Sequence, residues 1–113
     1  MHEYSIVQAL LEQVDQQARR LHARRVHRVR VCIGELAGVE IDLLRTAYET
    51  IRRDTACEHA DLDVRRTAAR WACPACGASI PPGAPLQCRD CRRPARLVSG
   101  DEIMLDRIEM EVA

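Results

Sequence analysis

Cys73-Pro74-Ala75-Cys76, an eleven-residue gap, then Cys88-Arg89-Asp90-Cys91 is the stretch from which the rest of the chain is read. Each CxxC pair presents two thiols from one tight turn, and two such turns facing each other complete a closed tetrahedron of ligands for zinc. The gap carries Gly77, Pro81, Pro82, Gly83 and Pro85, so it reads as loop rather than helix. No histidine occurs after His59, which makes Cys73, Cys76, Cys88 and Cys91 the economical ligand set. Metal binding requires thiolates, so the site carries a formal charge of about −2. Arg70, Arg89, Arg92, Arg93 and Arg96 lie beside it in the sequence and can offset that charge. Two disulfides are the bland alternative, disfavoured because nothing ahead of them reads as a secretory segment. Iron on four thiolates is a second alternative.

Outward from the cysteines, the chain alternates between two periodicities. Ile6, Val7, Leu10, Leu11, Val14, Ala18 and Leu21 recur at helical spacing, with Ser5 and Gln8 at capping-box spacing ahead of them. Val29, Val31 and Ile33 alternate with Arg28, Arg30 and Cys32, which predicts a strand over 26–33 with one buried face. Gly34-Glu35-Leu36-Ala37-Gly38 breaks it with a tight loop. A second helix is expected over 41–53, with Leu43, Leu44, Ala47, Tyr48 and Ile51 inward. Ala60, Leu62 and Val64 mark a second strand, and Ile103 to Val112 a third of ambiguous parity. Either a start buried on both sides or a bulge near Asp106 would reconcile its two halves. Trp71, the one tryptophan, is expected to cover the junction between the cysteine module and the sheet.

The fold class that follows is α+β: a small three-stranded mixed sheet with two helices, into which a zinc-ribbon-like module is inserted. The strand-helix-strand unit calls for a right-handed crossover. The expected division is an α/β domain over 1–69 and 98–113 and a zinc module over 70–97. The 113 residues suit one modest domain plus such a module. A core with no Phe must be built from Leu, Ile, Val and Ala, and metal adds stability that a small module lacks alone.

Zero net charge gives no global field for nucleic acid or an anionic membrane. All 17 basic residues are Arg, with no Lys, Asn or Phe, a pattern of GC-rich coding that lowers the weight of any Arg cluster, including the acid-free run from Arg19 to Arg30. No apolar run is long enough to span a bilayer. A cytoplasmic protein in a reducing compartment is expected.

Met1-His2-Glu3 offers a second metal site. The Met1 amine, the His2 backbone nitrogen and His2 Nδ1 can close a five- and a six-membered chelate ring on one ion. Such a nitrogen-rich planar set suits Ni(II) or Cu(II). The Glu3 backbone nitrogen or carboxylate could supply a fourth donor. A frayed terminus is the plain alternative.

Met1-His2-Glu3-Tyr4-Ser5 ahead of a helix, Gly34-Glu35-Leu36-Ala37-Gly38-Val39-Glu40, the two CxxC pairs and Gly100-Asp101-Glu102-Ile103 together resemble the HypA/HybF family of nickel metallochaperones for [NiFe]-hydrogenase maturation, over essentially the whole chain. The resemblance implies nickel donors from Met1, His2 and Glu3, assistance from Glu40, and structural Zn(II) on the four cysteines. It implies Ni(II) as transient cargo, a HypB-type nickel GTPase as partner, and the hydrogenase large-subunit precursor as recipient. One departure stands out: Arg92 follows the second pair where the family has Gly, which matters if that turn needs a positive φ.

No nucleophile–base pairing or phosphate-binding glycine loop is evident, so a non-enzymatic metallochaperone, monomeric or weakly dimeric, is the reading. A nucleic-acid-binding zinc ribbon is the rival, disfavoured by zero net charge and three aromatics. Cys32 reads as a small buried residue on its strand, and Cys57 with His59 as a weak candidate metal pair.

Overall fold

The computed structural model describes residues 2–112. Helix α1, Glu3–Arg20, buries Val7, Leu10, Leu11, Val14 and Ala18 as one stripe. It starts two residues before Ser5, which is exposed within the first turn. The cap is His2, whose carbonyl accepts the Ile6 N–H and whose side chain makes no capping bond. The expected capping box is therefore not used. Glu3 in the first turn and Arg19 and Arg20 in the last complement the helix dipole instead.

Strand β1, Ala23–Gly34, is the spine of the molecule. Val26, Val29, Val31 and Ile33 are all buried. Val26 falls out of strict alternation because the register to its neighbour jumps between Val26 and Arg28, a bulge that returns Val26 to the core face. Helix α2, Ile41–Ile51, buries Leu44, Ala47 and Tyr48 and ends two residues short of the expected boundary. Leu43 is 54% exposed, against expectation. The inward stripe runs through 44, 47, 48 and 51, and Leu43 stands one residue, about 100°, away from Leu44 on the helix.

Strand β2, Asp61–Thr67, pairs parallel to β1, and the last strand, β6, Ile103–Val112, pairs antiparallel on its other side, giving the order β2-β1-β6. The parity ambiguity of β6 is resolved by the bulge that the sequence suggests. Arg30 faces Arg107 and Val31 faces Leu105, so Asp106 is the extra residue. Leu105, Ile108 and Met110 pack on the core, whereas Met104 turns away from it and is 51% exposed. The basic run of β1 meets its acids across the sheet: Arg30 pairs with Asp63 at 3.0 Å and with Asp106 at 4.0 Å, and Arg28 with Glu109 at 3.7 Å.

Between β2 and β6 the chain builds a second antiparallel sheet from β3, Arg70–Ala72, β4, Ser79–Ile80, and β5, Arg96–Ser99, in the order β4-β3-β5. Trp71 pairs with Ile80 and Leu97 inside this sheet and is not among the residues packed on the main core, so it belongs to the module rather than roofing the junction.

The crossing between the sheets is tight. A Cβ on Gly34 would lie 2.0 Å from the Gly100 carbonyl oxygen, a contact that only glycine permits. Gly34 N–H donates to the Glu102 carbonyl at 2.8 Å and Leu36 N–H to the Gly100 carbonyl at 2.7 Å. Two carboxylates finish the knot: Glu35 accepts the Ala69 N–H at 2.6 Å, and Glu102 accepts the Gly100 N–H at 2.8 Å. The Glu102 carboxyl is held below its usual range by that Gly100 N–H first and by its own backbone N–H second. Among the described residues, no helix is long and apolar enough to cross a membrane.

Candidate metal centres

The two CxxC turns fold as copies of one another. Cys73 N–H donates to the Ala78 carbonyl at 2.8 Å, and Cys88 N–H to the Arg93 carbonyl at 3.0 Å. Gly77 N–H donates to the Cys73 carbonyl at 2.9 Å, and Arg92 N–H to the Cys88 carbonyl at 2.8 Å. Cys76 N–H points at Cys73 Sγ and Cys91 N–H at Cys88 Sγ, both at 3.5 Å. Backbone donors so placed stabilise negative charge on sulfur.

All four Sγ atoms lie within 4.8 Å of one another, the one group of three or more such ligands among the described residues. Cys76 and Cys88 stand 3.8 Å apart. A tetrahedron with Zn–S bonds of about 2.3 Å has S···S edges of about 3.8 Å, so donor type, number and spacing fit zinc. All six cysteines of the chain are free thiols. The crowding tunes the thiols unequally. Cys73 is drawn down to about 6, first by the Cys76 N–H and then by that of Ala75. Cys91 is pushed up to about 12 by hydrogen bonds with Cys76 and Cys73. Cys76 also rises: the Ala78 N–H pulls it down, but its bonds with Cys73 and Cys88 outweigh that. Four thiolates this close repel one another unless a cation sits among them.

The departure at Arg92 now has a measurable content. Gly77 has φ 76° and Arg92, its counterpart in the second turn, has φ 56°. A non-glycine residue in the left-handed region costs about 1 kcal/mol. Arg92→Gly is therefore expected to stabilise the metal-loaded module by about 1 kcal/mol, or roughly fivefold in metal affinity where folding and binding are coupled. Competition titration with a chromophoric chelator measures it; weaker binding in the variant would mean that the Arg92 side chain contributes more than its backbone costs.

The second candidate centre is at the start of the chain. Met1 lies outside the described residues. His2 is exposed at the cap of α1. Glu3 is only 7% exposed, and its carboxylate accepts the Glu40 N–H at 3.1 Å. That N–H, and then the Glu3 backbone N–H, lower the Glu3 carboxyl below its usual range. Glu40 is the N-cap of α2, and its own side chain is exposed. The fold thus brings Glu3 and Glu40 together across 37 residues, by a side-chain-to-backbone bond that spacing alone could not reveal.

Cys57 and His59 belong to no group of three or more metal-ligating side chains among the described residues. Cys57 is fully buried, and burial pushes its thiol up to about 11, whereas His59 is exposed. Cys32 is half-buried on the outer face of β1. Sequence reasoning missed Glu35 and Glu102 as the groups that knit the sheets. Their signal was present in the Gly34-Glu35 and Gly100-Asp101-Glu102 runs, where a glycine that allows close approach stands beside a carboxylate able to hold the exposed N–H groups.

Comparisons with known proteins agree with this geometry. The family model described as "Hydrogenase/urease nickel incorporation, metallochaperone, hypA" matches residues 1–110. The hydrogenase maturation factor HypA of Wolinella succinogenes is 40% identical, with 98% of this chain and 96% of the relative covered. That of Shewanella oneidensis is 38% identical, with 100% and 98% covered. The solution structure of the Ni metallochaperone HypA from Helicobacter pylori superimposes with a TM-score of 0.76 at 30% identity, covering 100% of both chains. A second HypA solution structure reaches a TM-score of 0.81 at 31% identity, over 97% of this chain and 96% of the other. The whole-chain match, the two-sheet fold and the four-cysteine centre converge: the chain belongs to the HypA family of metallochaperones, whose members are not enzymes.

Proposed function

We propose that this protein binds Ni(II) through the Met1 amine, the His2 backbone nitrogen and His2 Nδ1, and delivers it during [NiFe]-hydrogenase maturation, while Cys73, Cys76, Cys88 and Cys91 hold a structural Zn(II). The observation that carries the reading is the family match, which runs from residue 1 across both candidate centres. The division into an α/β unit over 1–69 and 98–113 and a zinc module over 70–97 belongs to the same proposal, supported by the separate sheets. Nickel passes from this chain, together with a HypB-type GTPase, to the hydrogenase large-subunit precursor in the cytoplasm.

The N-terminal geometry divides the roles of the two acids. The Glu3 carboxylate already accepts the Glu40 N–H, which favours the Glu3 main-chain nitrogen as the fourth donor, at the cost of that nitrogen's own bond to the carboxylate. The carboxylate anchors the donor segment to the start of α2 and leaves the exposed Glu40 side chain to approach the ion. Zinc on four thiolates is coordinatively closed, which makes it structural rather than cargo.

A nickel titration of zinc-loaded protein with a free N-terminus tests the proposal directly. One Ni(II) per chain is expected. A form extended by a few residues ahead of Met1 should bind far more weakly, because the amine becomes a peptide nitrogen. Equal affinity of the two forms would place the site elsewhere in the chain.

A further inference from the structure

Charge is not spread evenly along the chain. Residues 70–97 hold five arginines, Arg70, Arg89, Arg92, Arg93 and Arg96, against one acid, Asp90, whereas the rest of the chain holds 12 arginines against 16 acids. Coding bias explains why the bases are Arg rather than Lys, but not why acids are missing beside these five. Pairing follows the same division. Arg28, Arg30, Arg52, Arg65 and Arg107 each lie within 4.0 Å of a carboxylate, and among the described residues none of the five arginines of 70–97 does. All five are exposed. Even with about −2 on a four-thiolate zinc centre, this region keeps about two net positive charges. The rest of the protein is negative.

Two of these arginines, Arg89 and Arg92, line a groove of about 810 Å³ on the second sheet. Ile80, Pro81, Ala84 and Pro85 form its apolar part. Ile80 belongs to β4, an edge strand along which an extended chain can lie. Arg92 keeps its place at a backbone cost, with φ 56°. Gln87 Nε2 donates to its carbonyl at 2.8 Å, and its own N–H donates to the Cys88 carbonyl at 2.8 Å, so the turn fixes where the side chain departs. A charged residue held in a strained conformation beside a groove points to use of its charge.

We infer that this groove takes an extended acidic segment of a partner protein, with carboxylates on Arg89 and Arg92 and an apolar side chain against Ile80 and the prolines. Guanidinium groups suit carboxylates because they can meet them with two parallel N–H donors. Nucleic acid fits less well. No aromatic side chain lines the groove to stack on a base, and Asp90, between the two arginines in sequence, interrupts a continuous track for phosphates. The surplus of acids elsewhere on the chain repels the same segment and directs it to the cysteine-bearing sheet. Docking here needs the zinc-loaded fold and none of the proposed nickel donors.

Nuclear magnetic resonance titration of the zinc-loaded full chain tests the site, with a soluble peptide in which Glu alternates with Val and Pro as the probe. Saturable shifts confined to 78–92 are expected, and they should weaken as salt is raised. The same peptide with Gln for every Glu should bind far more weakly. Arg89→Ala and Arg92→Gly should each lower the affinity about fivefold. Arg92→Gly separates docking from folding: it should hold zinc at least as tightly as wild type while binding the peptide less well, a combination that loss of fold cannot produce. No saturation by about 1 mM peptide, equal binding of the Gln peptide, shifts lying outside 78–92, an affinity that neither substitution moves, or tighter binding of a single-stranded oligonucleotide of equal charge would each overturn the inference.

Discussion

Cys73→Ala is expected to release the zinc and unfold the second sheet, with Cys91→Ala following it. Cys73 is buried and its sulfur is the focus of its turn, accepting from Ala75 and Cys76. The module has little else to hold it: β4 is two residues long, β3 three, and Pro81 to Leu86 forms loop. Structural zinc contributes on the order of 10 kcal/mol to such a unit, more than its few apolar contacts can replace. Metal analysis should fall from one zinc per chain to a small fraction, and amide exchange over 70–99 should become fast. The strands β1, β2 and β6 should stay protected, because their core is made by α1 and α2 and contains no residue of the second sheet. A full complement of zinc in either variant would remove these residues from the ligand set. Zinc loss should also set in as pH falls, since protons compete for every thiolate.

His2→Ala should abolish specific nickel binding and leave zinc and fold unchanged. The imidazole is the one side-chain nitrogen of the proposed chelate, and without it the six-membered ring cannot close. The same side chain makes no capping bond to α1, so its removal costs the helix little. Calorimetry at matched zinc content reads the difference directly; a variant that still binds one nickel with wild-type affinity would exclude His2 as a ligand. Glu3→Ala should behave differently. It removes the acceptor for the Glu40 N–H, so it is expected to loosen the start of α2 as well as the donor segment. The lowered folded value of the Glu3 carboxyl means that its stabilising contribution is present above the ordinary carboxylate range and is lost as pH falls through that lowered value.

Much of this molecule is legible in one sequence because its signals are local. Two CxxC pairs mark a candidate ligand set whose sulfurs the fold brings together, strict alternation over 29–33 marks a strand, and the mixed parity of the last strand leaves a bulge near Asp106 as one of two readings, the one the structure adopts. Leu43 was misread because a helix face is set by what it packs against, and an apolar residue at its border reads the same as one inside it. Ser5 was misread because the chain before it is held by tertiary bonds, above all from Glu3 to Glu40, which start the helix earlier than its own capping chemistry would. The size of Trp71 predicts a place at the junction, whereas the junction is filled by backbone. Contacts between a carboxylate and a distant main-chain N–H leave no periodic trace, so Glu35 and Glu102 were visible as motif letters without a role.

The close passage of Gly34 over Gly100 ties the two sheets at one point: both connections between them are held there by backbone bonds and by the Glu35 and Glu102 carboxylates. The loop 34–40 runs from that crossing to the amide on which the Glu3 carboxylate rests, so one short loop joins the tie between the sheets to the segment that carries His2.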